Sequence, residues 1–386
     1  KGYKVITGYT DEPEVGNTTT SIKSFIQNLY ENPEPGVSAP TYVLFVGDVA
    51  QIPAFSGTTG SHITDLYYCE YTGDDFAEIY YGRFSAQTTA QLQPQIDKTL
   101  MVEQYTMPDP SYLDEVVLVA GMDGSHGNDW GNGQINYGTE NYFNEEHGIT
   151  SHTYLYPGSG SNAAAIKQDI SNGVSYVNYS AHCSQSGWAD PSFTTSDIPN
   201  LTNVNEYFLS VGNCCLSNAF DSQECFGEAL MRAEGKGAIG HIGGTNSTYW
   251  DEDYHWGVGV GAITEDPPSY EETTLGVYDC LFHEHGEEWA DWCFTSGQII
   301  FAGNRAVSES GSSRDTYYWE IYSVMGDPSL AMYITVPEPI DVSYDGLMPL
   351  GSETFTVTTE PYAYVAISRD GELFGAALAD ETGTAV

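Results

Sequence analysis

The sequence predicts an α/β protein in which a mainly parallel sheet is covered by helices on both faces. Five short apolar runs, rich in β-branched and aromatic residues, end in Gly, Asp, Asn or Ser, and segments with helical spacing separate them. Strands that are apolar on both faces and alternate with helices are typical of such sheets. The predicted strands are 42–48, 115–121, 174–180, 206–212 and 237–244, and the predicted helices lie in 18–32, 88–105, 161–173 and 224–235.

The pattern changes near residue 336. Beyond it, apolar and polar residues alternate by twos, and "RDG" at 369–371 is typical of a hairpin turn. This alternation indicates a small β-sandwich, but the chain supplies too few strands to close one. We therefore expect the sandwich to continue past Val386.

Acidic side chains dominate the composition. Eleven Lys and Arg residues against 54 Asp and Glu give a formal charge of −43, which argues against nucleic acid or an anionic membrane surface as a partner. Cations and basic substrates are favoured, although a well-solvated acidic surface with no specific partner is the simpler alternative. No segment reaches the roughly 20 continuous apolar residues of a membrane-spanning helix.

Three chemically reactive residues follow predicted strands. Asp123, His182 and Cys215 each come just after one of the apolar runs, and ligands of open α/β sheets bind outside the carboxyl ends of the strands. A nucleophilic thiol needs an imidazole to carry its proton, and a carboxylate can orient that imidazole. The pattern favours a catalytic Cys-His-Asp set. A buried structural cysteine, a packed histidine and a turn-capping aspartate remain the alternatives.

Other motifs carry less information. The chain lacks GxSxG, P-loop and Rossmann fingerprints, so serine hydrolase and nucleotide-binding functions lose support. "HEH" at 283–285 lacks the HExxH spacing and is more typical of an exposed loop. Seven cysteines leave at least one free thiol if the others are oxidised.

Longer motifs carry a family resemblance. "NYSAHCSQSGWADPS" (178–192), "YFLSVGNCCLSNAFD" (207–221) and "NSTYWDEDYHW" (246–256) resemble the gingipains, secreted bacterial cysteine endopeptidases, and above all the lysine-specific members. The resemblance covers nearly the whole chain. It implies a caspase-like catalytic domain of two subdomains followed by a partial immunoglobulin-like domain, with boundaries at 1–105, 106–335 and 336–386.

The resemblance also implies the catalytic roles. Cys215 corresponds to the nucleophile, His182 to the base and Asp123 to the third member, and the backbone N–H groups of Cys183 and Cys215 would bind the oxyanion. The family normally has Gly after the catalytic histidine, where this chain has Cys183. A side chain there replaces the close backbone approach that Gly allows. Cys183 is also placed to pair with another thiol and to act as an oxidative brake.

Substrate preference is implied in the same way. In the lysine-specific members an acid three residues beyond a pocket tryptophan receives the substrate ammonium group, and Trp250 and Asp253 match those positions. The acid of the arginine-specific members falls near Asn136, so Lys is preferred over Arg. One more charge in an acidic loop is the alternative for Asp253. The implied substrate-binding residues are Asp253, Trp250, Ser180 and Asn213.

Calcium is the expected structural ion, and no organic cofactor is expected. "TGDDFAEIY" (72–80) resembles a calcium-binding loop of the family, with Asp74 and Glu78 as carboxylate ligands and a carbonyl from Phe76. Thr72 stands where an aspartate is expected. An ordinary acidic turn is the alternative.

Together these observations predict a secreted or surface-exposed bacterial cysteine endopeptidase that cleaves after basic residues, preferably Lys, through an acyl-enzyme on Cys215. Its expected partners are protein or peptide substrates with basic residues, and a removable propeptide is expected before Lys1. The alternative is a weak or inactive homologue that serves as a surface, filament or adhesion protein.

Overall fold

The computed structural model describes residues 1–370 and 372–386, which form two compact units. The larger unit is Thr10–Val336, and the smaller one combines Lys1–Tyr9 with Pro337–Val386. The α-helices of the larger unit are α1 (Thr19–Glu31), α2 (Thr89–Glu103), α3 (Gly133–Asn141), α4 (Ala163–Ser171), α5 (Phe226–Arg232), α6 (Trp250–Val258), α7 (Val277–Phe282), α8 (Ser296–Glu309) and α9 (Asp315–Ile321).

The strands of the larger unit alternate with these helices. They are β1 (Tyr42–Val46), β2 (Phe55–Ser56), β3 (Ile63–Thr64), β4 (Tyr80–Phe84), β5 (Glu115–Ala120), β6 (Thr150–Tyr154), β7 (Tyr176–Ser180), β8 (Cys183–Ser184), β9 (Gly187–Trp188), β10 (Phe193–Thr194), β11 (Phe208–Asn213), β12 (Ala238–Gly244) and β13 (Tyr322–Gly326). Several helices begin at a capping side chain, because Thr18, Thr88 and Thr295 each accept a hydrogen bond from the first helical turn.

One sheet organises the larger unit. Within the described residues it has eight strands in the order β1-β4-β13-β12-β11-β7-β5-β6, and only the β12–β13 pair is antiparallel. The predicted mainly parallel sheet is thus confirmed. The strands β12, β11, β7 and β5 are neighbours that run in the same direction, so their carboxyl ends lie along one edge of the sheet.

Apolar side chains on both faces of these strands explain the helical layers. In β5, Val116 and Leu118 belong to one buried cluster, whereas Val117 and Val119 belong to another. The first cluster includes residues of α3, α6, α7 and α8, and the second includes residues of α4 and α5. Since successive side chains of a strand point to opposite faces, the sheet is covered by helices on both sides.

The smaller unit is built from short antiparallel strands. They are β14 (Ser343–Tyr344), β15 (Val357–Thr358), β16 (Tyr364–Arg369), β17 (Glu372–Leu378) and β18 (Thr384–Ala385), in the orders β14-β15-β18 and β16-β17. They are consistent with a partial β domain.

Several expectations about organisation stay predictions. These are the immunoglobulin-like character of the smaller unit and the subdomain boundary at 105/106. The predicted "RDG" turn includes residue 371, which lies outside the described residues. Among the described helices, none combines the length and the apolar character needed to cross a bilayer.

Candidate active site

The register of two neighbouring strands sets the position of His182 and Cys215. Parallel strands β7 and β11 pair Ser180 with Asn213 as their last partners. His182 and Cys215 each lie two residues beyond that pair, so the imidazole and the thiol follow adjacent strand ends at the same edge of the sheet. Asp123 follows β5, on the other side of β7.

A disulfide joins Cys183 to Cys214, so the pairing of Cys183 that the sequence left open is made with the cysteine next to the candidate nucleophile. Cys214 is fully buried and lies in the core cluster of α4 and α5, against which Cys183 packs. Cys215 is a free, partly exposed thiol, and the His182 side chain is 50% exposed. The disulfide therefore leaves both groups accessible.

His182 is held at its side chain and at its backbone. Its Nε2 lies 2.7 Å from Oδ2 of Asp123, which leaves Nδ1 available for another partner. Its carbonyl accepts hydrogen bonds from the Ala189 N–H at 2.9 Å and from the Tyr179 hydroxyl at 3.0 Å. These contacts fix the imidazole beside the strand end.

Asp123 accepts hydrogen bonds on both carboxylate oxygens. In addition to His182, the N–H groups of Ser125 and His126 donate to Oδ1 at 2.7 and 2.8 Å, and Nδ1 of His126 lies 3.2 Å from the same oxygen. Burial alone raises the pKa of Asp123, but the hydrogen bonds from His182, Ser125 and His126 outweigh it and hold the pKa well below its usual range. The carboxylate thus remains charged next to His182.

Cys215 lies in a tight turn. Its Sγ accepts a hydrogen bond from the Thr248 N–H at 3.4 Å. The next residue, Leu216, has φ of +64°, a left-handed conformation that is costly for a bulky side chain, and its N–H donates to the Asn246 carbonyl at 2.9 Å. Across the described residues, no hydrogen bond joins this thiol to the His182 imidazole. Catalytic hydrogen bonds are often long without substrate and tighten in its presence.

Asp253 is buried among hydroxyl groups. Its carboxylate accepts hydrogen bonds from Thr248 at 2.6 Å, Tyr322 at 2.7 Å and Tyr318 at 2.9 Å, and the residue is only 4% exposed. Burial raises the pKa of Asp253 to about 7, although hydrogen bonds from the three hydroxyls oppose that rise. A cationic group that reached this carboxylate would favour its ionised form.

The other predicted substrate-binding residues are Trp250, Asn213 and Ser180. The Trp250 ring contacts His182 edge-on, with ring centroids 5.6 Å apart, and stacks on His126 at 5.1 Å. The Asn213 amide donates to the Tyr322 hydroxyl at 3.2 Å. Ser180 is buried at the end of β7, opposite Asn213.

Asn136 lies away from this cluster of hydrogen bonds. Its amide donates to the Glu265 carbonyl at 2.8 Å. The correspondence of Asn136 to the acid of the arginine-specific members stays a prediction.

Four neighbours of the site were not predicted from the sequence. Thr248 connects both halves of the site, because its N–H donates to the Cys215 sulfur and its hydroxyl donates to Asp253. The others are His126, Tyr318 and Tyr322. Short polar runs around the chosen residues, such as "SHG" and "TYWDED", were the available signal.

The predicted calcium loop has its own hydrogen bonds. Oδ1 of Asp74 accepts from the Phe76 N–H at 3.0 Å, and Glu78 accepts from the Tyr71 N–H at 2.6 Å and the Thr72 hydroxyl at 2.9 Å. In residues 1–370 and 372–386, no group of three or more His, Cys, Asp or Glu side chains is arranged to hold a metal ion. Calcium binding by this loop stays a prediction, as does oxyanion binding by Cys183 and Cys215.

Comparison with known proteins identifies the family. The model of "Peptidase family C25" matches residues 4–333, most of the chain. The chain belongs to this family. Lys-gingipain W83 of Porphyromonas gingivalis is 40% identical over 396 residues, covering 100% of this chain and 22% of the relative. Gingipain R2 of the same bacterium is 27% identical, over 94% of this chain and 47% of the relative. The chain thus spans about a fifth of the length of the Lys-gingipains it matches.

Solved structures agree with this membership. A structure described as that of a protease has a TM-score of 0.90 and 40% identity, and the match covers 98% of this chain and 83% of that chain. The crystal structure of the Arg-specific cysteine proteinase gingipain R has a TM-score of 0.79 and 26% identity, over 95% and 81% of the two chains. The resemblance to gingipains that the motifs indicated is confirmed.

Proposed function

We propose that the chain is a cysteine endopeptidase in which Cys215 is the nucleophile and His182 the general acid and base. The observation that carries this proposal is the 2.7 Å hydrogen bond between Asp123 and His182, made beside an accessible free thiol on the adjacent strand end. Membership in a peptidase family supports the same reaction class.

The proposed reaction follows from the contacts of the imidazole. Because Nε2 of His182 faces Asp123, Nδ1 is the nitrogen that takes the proton of Cys215. The thiolate attacks the scissile carbonyl carbon, and His182 returns the proton to the leaving amine. Water, deprotonated by His182, then hydrolyses the thioester and releases the acid product. Backbone N–H groups of Cys183 and Cys215 stabilise the oxyanion at each tetrahedral stage.

Cleavage after Lys is the proposed specificity. The buried Asp253 carboxylate offers a negative charge to an ammonium group, and the Trp250 ring offers an apolar surface to the aliphatic stem. The 40% identity to a Lys-gingipain supports Lys over Arg. From the resemblance to gingipains we also propose export to the surface or medium after removal of a propeptide.

The decisive experiment compares Cys215→Ala with wild type on fluorogenic peptides that end in Lys, Arg or a neutral residue. Wild type should cleave the lysyl peptide fastest and should need a mild thiol reductant. The variant should lose activity by about 10⁴-fold or more, because the nucleophile is absent. Retention of lysyl amide hydrolysis by the variant would contradict the proposal.

The alternative of a non-catalytic surface protein makes different predictions. Its supporting feature would be a disulfide that blocks the site, but the Cys183–Cys214 bond leaves the thiol and the imidazole accessible. Wild type that alkylates at Cys215 with ordinary thiol reactivity and cleaves no peptide would favour this alternative.

A further inference from the structure

The Cys183–Cys214 disulfide connects the chain at positions adjacent to both proposed catalytic groups. Cys183 directly follows His182, and Cys214 directly precedes Cys215. The Cα atoms of the two half-cystines are 5.2 Å apart. The hydrogen-bonded pairing of β7 with β11 ends at Asn213, so the disulfide extends the connection between these strands past the end of their ladder.

Each half of the disulfide is anchored in well-packed structure. Cys214 is fully buried in a cluster that includes Trp188 and Phe226. Cys183 lies in β8 and pairs with Trp188 of β9, and the next turn is tied down where the Phe226 N–H donates to the Gln185 carbonyl at 2.8 Å. The disulfide therefore joins two fixed segments rather than two flexible loops.

We propose that this disulfide is a positioning element that sets the separation of the His182 imidazole and the Cys215 thiol, an inference that rests on the proposed peptidase function. Neither Cys183 nor Cys214 uses its sulfur to contact substrate in this proposal. Misplacement of a reacting group by about 1 Å can cost on the order of 100-fold in rate, so a covalent tie next to both groups has a direct catalytic effect.

The proposal gives a reductant two opposite effects. A mild thiol keeps Cys215 reduced and active. A stronger dithiol cleaves the Cys183–Cys214 bond by thiol–disulfide exchange, in which the two sulfurs each gain a hydrogen and the reductant becomes a disulfide. Cys183 is the half that is partly exposed, so the exchange begins there. Activity should rise and then fall as the reducing strength increases.

The first test is the double variant Cys183→Ala/Cys214→Ala, which leaves no unpaired cysteine beside Cys215. Its kcat should fall about 10- to 100-fold with KM within about twofold, because positioning acts on the reacting groups. The rate constant for alkylation of Cys215 by iodoacetamide at a fixed pH should fall as well, because the imidazole is no longer placed to take the proton of the thiol. The matched control Cys280→Ala/Cys293→Ala removes two buried cysteines outside the site and should keep kcat within about twofold.

The second test uses the native sequence, so it remains informative if the double variant does not fold. Wild type is titrated with dithiothreitol while mass spectrometry follows the Cys183–Cys214 bond and circular dichroism follows folding. Folded enzyme with the bond reduced should show the same loss of kcat. An unchanged kcat and an unchanged rate constant for Cys215 alkylation after reduction would overturn the positioning role. By contrast, activity retained in Cys215→Ala would overturn the peptidase assignment itself, so the two failures are distinguishable.

Discussion

Two aspartates of the site, Asp123 and Asp253, have opposite environments. Asp123 accepts hydrogen bonds from an imidazole and from backbone N–H groups, and its pKa lies well below the usual range. In the described part of the chain, the Asp253 carboxylate accepts hydrogen bonds from the hydroxyls of Thr248, Tyr318 and Tyr322, and burial raises its pKa to about 7.

The difference shows how one kind of side chain can serve two tasks. A carboxylate that must orient an imidazole benefits from fixed donors that keep it charged before substrate arrives. A carboxylate that is to receive a cation can remain poorly stabilised until the cation is bound. Environment rather than residue type therefore assigns the proposed roles, as is general for paired carboxylates at functional sites.

Among substitutions of these two aspartates, Asp253→Asn is expected to have the largest effect on activity. Loss of the charge should lower kcat/KM for lysyl peptides by about 100- to 1,000-fold, because the substrate ammonium would be buried without a counter-charge. Cleavage of a peptide with acetyl-lysine at the same position should change by less than about threefold. Asp251→Asn, on the same helix but exposed, is the matched control. Equal losses on both peptides would show that Asp253 supports folding rather than specificity.

A smaller effect is expected for Asp123→Asn. The amide can still contact His182, but the imidazolium loses its negative partner, so kcat should fall about 10- to 100-fold for every substrate while KM changes little. Stopped-flow or fluorogenic assays on lysyl and acetyl-lysyl peptides measure this directly. Asp129→Asn, at an exposed position nearby, serves as the control. A loss of activity confined to lysyl peptides would contradict the proposal that Asp123 acts in catalysis and Asp253 in lysine binding.

Much of the fold was predictable from the sequence because the central strands are apolar on both faces. Runs such as 115–121 and 206–212 correspond to β5 and β11 within one or two residues. Strands β4, β6 and β13 of the central sheet were missed. β4 has the sequence YYGRF, in which a glycine and an arginine interrupt the apolar run. β6 is a half-exposed edge strand with the polar sequence TSHTY, and β13 follows α9 directly, without a turn signal between them.

The placement of Asp123, His182 and Cys215 at one edge of the sheet was also predictable, since the carboxyl ends of neighbouring parallel strands lie at the same edge. Their supporting contacts were not. Tyr318 and Tyr322 contact Asp253 from segments about 65 residues away along the chain, and such pairs leave no local pattern. The partner of Cys183 was equally hidden, because disulfide connectivity does not follow from spacing.

The preference for lysyl over acetyl-lysyl peptides should depend on pH, because Asp253 titrates near neutral pH whereas Asp123 does not. With a pKa of about 7, Asp253 loses its charge as the pH falls from 8 to 6, so kcat/KM for lysyl peptides should drop about tenfold relative to acetyl-lysyl peptides. Using the ratio of the two substrates cancels any effect of pH on the chemical step, which is common to both. A ratio that stays constant from pH 8 to 6 would mean that Asp253 is not the group that binds lysine.

Stability should respond to the two aspartates with opposite sign, although by small amounts. The folded-state pKa of Asp253 lies above the unfolded value of about 3.9, so ionisation favours the unfolded chain progressively as the pH rises toward 7. Asp253→Asn should therefore raise the melting temperature at pH 8 by roughly 2 to 4 °C, and the gain should vanish near pH 4.

Asp123 has a lowered folded-state pKa, so its contribution to stability is present above the unfolded pKa and is lost as the pH falls through the folded one. Asp123→Asn should consequently lower the melting temperature at pH 8, with the deficit shrinking in acid. Differential scanning fluorimetry of both variants across pH 4 to 8 checks the pair. Melting temperatures that shift in the same direction at pH 8 would contradict the opposite environments, because only a carboxylate with a lowered folded-state pKa stabilises the folded state by ionising.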